Sequence, residues 1–167
     1  MKITTRKLAV SAILLAADVL LTRVFAFNTP LMKIGLGFAA IALCAMLYGP
    51  AWAALVSALG DLIGSLAFPT GAYFPGFTLT CVITGAVYGL LLHKKQTPLR
   101  ILIAIAIVQL GCGLLVNTYW ISVLYGSPFT ALLVTRSVQC LIMIPVEFIV
   151  IGAMSRLLAR HKASLTA

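Results

Sequence analysis

Ile101-Leu-Ile-Ala-Ile-Ala-Ile-Val-Gln-Leu-Gly-Cys-Gly-Leu-Leu-Val-Asn-Thr-Tyr-Trp-Ile-Ser-Val123 runs for 23 positions without a charged side chain. A helix of that length rises roughly 34 Å, enough to cross a hydrocarbon core of about 30 Å. The rest of the chain is of the same kind. Of 167 residues, 62% are hydrophobic and 9% are charged, against roughly 25% charged in an ordinary soluble domain. The mean hydropathy is +1.14. Such a chain lacks the polar residues to cover a water-facing surface. A soluble enzyme, a disordered chain and a soluble nucleic-acid-binding domain are excluded.

Five further apolar runs lie outward of this one, at 8–27, 34–47, 51–68, 77–92 and 130–158. With 101–123 they predict an all-α integral membrane protein, a single domain over 1–167 with six transmembrane helices. The run 34–47 is short and rich in Gly and Ala, and it meets the next at the tight turn Tyr48-Gly49-Pro50. Twelve Lys and Arg stand against three Asp and Glu, for a net charge of +9. The cations cluster at segment ends: Lys2, Arg6 and Lys7; Lys94, Lys95 and Arg100; Arg156, Arg160 and Lys162. With an even number of spans all three clusters fall on one side. The positive-inside rule makes that side the cytoplasm, with both termini on it. The opposite loops, 28–33, 69–76 and 125–128, carry aromatic, Pro and Gly residues and little charge. The N-terminus resembles a signal peptide, but Asp18 interrupts the apolar run and no A-x-A site follows. It reads as a retained first helix. Cys44, Cys81, Cys112 and Cys140 stand singly in apolar stretches, and His93 and His161 lie in basic end segments. Neither a disulfide framework nor a metal site is expected.

An ionised side chain in mid-bilayer costs about 2.5–3.5 kcal/mol on insertion scales, so each one needs a reason. By helical rise Asp61 lies roughly 10 Å below the outer surface and Arg136 roughly 9 Å. Arg23, Asn117 and Gln139 fall in a similar layer, with Lys33 in or near an outer loop. Two arrangements fit: an Asp61–Arg136 ion pair, or a polar pocket open to the outside. The cations outnumber the single carboxylate of that layer, so an anionic ligand would balance it. Phe68, Tyr73, Phe74, Phe77, Tyr119, Trp120, Tyr125 and Phe129 surround the layer. Some belong to an interfacial belt. The loop Phe68-Pro-Thr-Gly-Ala-Tyr-Phe-Pro-Gly-Phe77, with two prolines and two glycines, has the composition of a lid. Aromatics beside arginines suit a flat, conjugated, anionic ligand. Glu147, after the helix-kinking Pro145, lies near the inner leaflet and is expected to pair with an inner basic residue. Small residues recur at helical spacing: Ala12 and Ala16, Ala54 and Ala58, Gly60 and Gly64, Gly85 and Gly89. Each pair allows another helix to approach. On the first span the Ala stripe offers a face for a separate membrane subunit. No G-x-x-x-x-G-K-[ST] or G-x-S-x-G occurs, and neither a cofactor nor catalysis by this chain is expected.

Lys33-Ile-Gly-Leu-Gly-Phe-Ala-Ala-Ile-Ala-Leu43, the turn Leu47-Tyr-Gly-Pro50, Gly60-Asp-Leu-Ile-Gly64 and the Phe68–Thr78 loop resemble the S-components of energy-coupling factor (ECF) vitamin transporters, most closely the folate-specific ones. Asn117-Thr-Tyr-Trp120, Tyr125-Gly126 and Arg136 fit the same family. The resemblance implies a non-catalytic subunit of the bacterial plasma membrane that binds a vitamin from outside. Its partners would be a transmembrane coupling subunit and two ATPase subunits. It implies that Ala12 and Ala16 form the docking motif. It is consistent with a ligand site drawn from Arg23, Lys33, Asp61, Phe68, Tyr73, Phe74, Asn117, Trp120, Arg136 and Gln139. The alternatives are an S-component for another cargo, such as pantothenate or a queuosine precursor, and a rod-shape (MreD-like) membrane scaffold.

Overall fold

The computed structural model of the protein describes residues 5–28, 33–69 and 72–166, with side chains described except at 27–28, 33–34 and 160–166. The chain begins with α1 (Thr5–Val19), prolonged by a π-helical turn (Leu20–Val24). A short antiparallel ribbon follows, β1 (Phe27–Asn28) with β2 (Lys33–Ile34), pairing Phe27 with Ile34 and Asn28 with Lys33. This ribbon is an addition to the all-helical expectation. Then come α2 (Gly37–Tyr48), α3 (Pro50–Ala67) and α4 (Pro75–Leu92). A continuous rod follows, made of α5 (Pro98–Ala106), a π-helical segment (Ile107–Val116) and α6 (Asn117–Tyr125). The last helix, α7 (Phe129–Thr166), contains Pro145.

Local chemistry accounts for the boundaries. Pro50, Pro75 and Pro98 each stand in the first turn of a helix, where a missing N–H costs nothing and the fixed φ suits the helix. Gly49 takes φ +86° between α2 and α3, and Gly126 takes φ +63° after α6. L side chains rarely adopt either conformation.

Among the described residues, four helical stretches are long and apolar enough to cross a membrane: Pro50–Ala67, Pro75–Leu92, Pro98–Tyr125 and Phe129–Ala159. The 12 residues of α2 rise only about 18 Å, well short of a hydrocarbon core. It is the most enclosed helix, with Ala42, Cys44, Ala45 and Met46 at 1% exposure or less. Around it pack Trp52, Ala53 and Val56 from α3, Tyr88 and Leu92 from α4, Ile101 and Ile105 from α5, and Met143 and Ile151 from α7. Its Gly and Ala content lets the neighbours close in.

Between α3 and α4 the contact is backbone to backbone. A Cβ added at Gly89 would stand 2.2 Å from Pro50 Cα, and one at Gly85 would stand 2.6 Å from the Ala53 carbonyl oxygen. The Gly85/Gly89 pair thus packs within the bundle. Deeper in, Glu147 is 2% exposed and sits between two donors. Tyr88 Oη donates to its Oε2 at 2.9 Å, and Gln109 Nε2 donates to its Oε1 at 2.6 Å. The expected pairing of Glu147 with a basic residue is therefore corrected. Neutral donors on α4 and on the π segment satisfy the carboxyl group, which binds α7 to both.

Gly89→Ala is expected to lose about 1–3 kcal/mol through overpacking against backbone that cannot yield. At Gly152 an added Cβ meets nothing within 4 Å, so Gly152→Ala should hold or raise stability. Thermal unfolding of the two variants in detergent checks the contrast.

Candidate ligand site

Two carboxylates and an arginine are gathered where α1 crosses α2 and α3. Asp18 is 4% exposed. Its carboxylate lies against Gly37 and Gly60, where an added Cβ would come within 2.7 Å and 2.3 Å of it. One helical turn farther along α3, Gly64 gives the same clearance to the Arg23 side chain. The Gly60/Gly64 pair therefore seats charged side chains of the first helix. Arg23 Nη2 meets Asp61 Oδ1 at 3.3 Å. The other oxygen of Asp61 accepts from Thr78 Oγ1 at 2.8 Å. Since Thr78 gives its one proton to Asp61, the 3.1 Å contact with Tyr73 Oη has the tyrosine as donor. A relay thus runs from Tyr73, 46% exposed, inward to the Arg23–Asp61 pair. Asp18, Thr22, Arg23, Ile41, Ser57, Asp61 and Cys81 line a cavity of about 50 Å³. That is room for water but not for a ring system.

Beside this relay stands an aromatic group. Phe74 contacts Phe77 edge-on at 6.2 Å between centroids and Trp120 at 5.4 Å, and Tyr119 meets Trp120 at 5.1 Å. Trp120 Nε1 donates to Thr80 Oγ1 at 3.2 Å. Gly76 makes room for the indole, since a Cβ there would fall 2.6 Å from both Trp120 and Phe74.

A third group joins α7 to the π segment. Arg136, 7% exposed, donates from Nη2 to the Gly113 carbonyl at 3.0 Å. Cys140 Sγ reaches the Gln109 carbonyl at 3.4 Å. Gln139 is buried on the same helix, while Asn117 begins α6 with a buried Oδ1 that has no hydrogen-bond partner among the described residues.

Of the expected residues, Arg23, Asp61 and Tyr73 come together through Thr78, and Phe74 and Trp120 through ring contact. Arg136 and Gln139 lie on α7, where Arg136 bonds the π segment. The Asp61–Arg136 ion pair does not form, because Asp61 holds Arg23 and Thr78. Phe68 ends α3 at 46% exposure, and the Lys33 side chain lies outside the described residues. Sequence reasoning passed over Asp18 as a site residue, along with the hydroxyls of Thr22, Ser57, Thr78 and Thr80. The Gly60/Gly64 spacing was the available signal, because such a pair admits a polar side chain as readily as a helix. Ala12 and Ala16 are exposed on α1, whereas Ser11, Leu14 and Asp18 are buried. Asp18 thus points away from the Ala face.

Comparison with known proteins follows the same outline. Residues 6–154 match the family described as "ECF transporter, substrate-specific component". The chain is 38% identical over 141 residues to the folate transporter FolT of Clostridium novyi, covering 84% of this chain and 82% of that one. To the folate transporter FolT of Leuconostoc mesenteroides it is 31% identical over 153 residues, covering 87% and 82%. A crystal structure of FolT bound with folic acid superposes with a TM-score of 0.87 at 33% identity, covering 92% of this chain and 94% of that one.

The Arg23–Asp61 pair sets a stability test. Arg23→Met or Asp61→Leu alone leaves a nearly buried charge without its partner and should cost about 3–5 kcal/mol. The double change should recover most of that loss, as a double-mutant cycle in thermal unfolding would read.

Proposed function

Since the chain belongs to the family of ECF transporter substrate-specific components, we propose that it is the folate-binding membrane subunit of an ATP-driven vitamin importer in a bacterial plasma membrane. The likeness to FolT with folic acid, over 92% of the chain at a TM-score of 0.87, carries this reading. The geometry supports it. Folate is a flat pterin and benzoyl group ending in a glutamate with two carboxylates. Phe74 and Trp120 offer ring faces for stacking. Arg23, Arg136 and Lys33 supply positive charge for the carboxylates, and Asn117, Gln139 and Asp61 supply acceptors for the pterin's N–H groups. Phe68 and Tyr73 close the outer face. The Tyr73–Thr78 contact is the outermost link of the Asp61 relay.

In this reading all six helices belong to one membrane domain, with both termini cytoplasmic and the Tyr73 loop outside. Binding occurs from outside and release inside, after docking on a coupling subunit that carries two ATPase subunits. Ala12 and Ala16, exposed one turn apart, are the docking face. The chain itself performs no catalysis.

Mass spectrometry of small molecules retained by the purified chain should find folate, and titration should place it far above pantothenate or a queuosine precursor. In liposomes the chain alone should bind folate without accumulating it. Concentrative uptake without ATPase subunits would refute that division of labour. Ala12→Arg should abolish co-purification with the coupling subunit and leave folate binding intact.

Arg136→Ala should weaken folate binding by about 2–4 kcal/mol, because a buried anionic group loses its partner. Lys33→Ala should weaken it far less, since water and salt screen a charge in an outer loop. Isothermal titration calorimetry on both variants decides the order.

A further inference from the structure

Trp52 holds the first helix at two points one turn apart. Its Nε1 donates to Ser11 Oγ. Ser11 in turn donates to the Lys7 carbonyl at 2.8 Å. Lys7 Nζ lies 4.4 Å from the centroid of the same indole and 5.2 Å from that of Tyr48. One side chain of α3 thus engages positions i and i+4 of α1, the first by its π face and the second by its N–H. Trp52 is 8% exposed and Lys7 is half-buried, so the cation–ring contact is partly shielded from water, which strengthens it. Tyr48 and Trp52 flank the sharp reversal at Gly49, and His93 braces that turn from α4. The imidazole lies 3.5 Å from where a Gly49 Cβ would stand, and its Nδ1 is 3.3 Å from the Met46 carbonyl. The indole is therefore mounted on a fixed base.

We propose that the Lys7–Trp52–Ser11 clamp sets the rotation of α1 about its own axis and so presents the Ala12/Ala16 face to the docking partner. The inference rests on the docking reading given above. Its physical basis is the helical period. Turning α1 by one residue rotates its surface by about 100° and would put Ile13 or Leu15 where the alanines stand. The outward face of Leu8, Ala12, Ile13 and Ala16 meets lipid, which is as apolar as those side chains and opposes no rotation. Only the inward contacts resist; near the inner end the directional ones are those of Lys7 and Ser11, beside the apolar packing of Val10 and Leu14. Lys7 and Trp52 are positioning residues in this scheme; the alanines alone would touch the partner.

Rotation can be read without the partner. In full-length protein with the four native cysteines replaced by alanine, Ala12→Cys should be labelled readily by a lipid-soluble diazirine, whose photogenerated carbene inserts into a neutral S–H where no thiolate forms, and Leu14→Cys poorly. Adding Lys7→Met, which keeps length but not charge, should raise labelling at Leu14→Cys several-fold. Trp52→Phe, which loses the N–H, should do the same. Lys7→Arg should restore the parent pattern, since a guanidinium also stacks on indole. With the coupling and ATPase subunits co-expressed, Lys7→Met and Trp52→Phe should lower co-purification several-fold and Lys7→Arg should not. Unchanged folate titration confirms that each variant is folded, with Lys7→Gln as a milder second variant. Parent-like labelling in both Lys7→Met and Lys7→Gln overturns the clamp. Altered labelling with intact co-purification overturns its link to docking. If Ala12→Arg also leaves co-purification intact, the docking reading itself has failed, while the labelling result still judges the clamp.

Discussion

An apolar solvent makes an unpartnered charge intolerable, and that constraint organises this protein. The chain has only three acidic residues, and all are built into the helix packing. Asp18 lies against Gly37 and Gly60. Asp61 takes Arg23 on one oxygen and Thr78 on the other. Glu147 takes Tyr88 and Gln109. Each satisfied group ties together elements distant in sequence: α1 to α3 and α4, or α7 to α4 and the π segment. Apolar contact between helices does little to fix register in lipid, since lipid competes equally for those surfaces. Polar ties have no such competitor, so together with the close glycine packing of α3 on α4 they decide which helices meet and at what rotation.

Glycine is what makes the ties possible. The spacing at Gly60/Gly64 is the same as at Gly85/Gly89, yet the two pairs do different work. Gly85 and Gly89 admit the backbone of α3, which is the ordinary use of such a pair. Gly60 and Gly64 admit a carboxylate and a guanidinium instead. Spacing alone cannot separate these uses, because it specifies an absence of side chain and says nothing of what fills the room.

This explains which features were legible in the sequence. The helices, the turn at Gly49-Pro50 and the isolation of the charged residues follow from hydropathy and from Pro and Gly chemistry, which are local. The pairing of the charges is not local. Counting depth along straight helices put Asp61 and Arg136 in one layer, but depth says nothing of azimuth. The π segment adds to the difficulty. It changes the rotation of everything after it relative to a regular helix, including Asn117 and Trp120. Nothing in Ile107-Val-Gln-Leu-Gly-Cys-Gly-Leu-Leu-Val116 announces a π-helix by composition. Its partners are the signal: Arg136 and Cys140 bond the Gly113 and Gln109 carbonyls. Those contacts depend on α7, more than twenty residues away in sequence. The hydroxyls of Thr78 and Thr80 were illegible for a related reason. In an apolar helix a threonine usually bonds its own backbone, as Thr80 does with the Gly76 carbonyl, and only the fold shows that it also receives Trp120.

The same ties bear on how a folate-binding subunit would choose its ligand. An anion that approaches Arg23 meets a cation already paired with Asp61. Displacing Asp61 would strand a carboxylate at a cost that one exchanged ion pair does not recover. A small anion such as phosphate or acetate offers nothing more and gains little. A ligand that also covers the faces of Phe74 and Trp120 removes apolar area from water at roughly 25 cal/mol per Å², which an isolated anion cannot do. If Arg23 meets the ligand as proposed, the ion pair would act as a threshold. It would leave the site indifferent to charge alone and responsive to charge joined to a flat ring. A pterin linked to a glutamate has both parts, and the rigid benzoyl group holds them apart. Selectivity in this arrangement comes from requiring two unlike contacts at once, with neither of them needing to be strong.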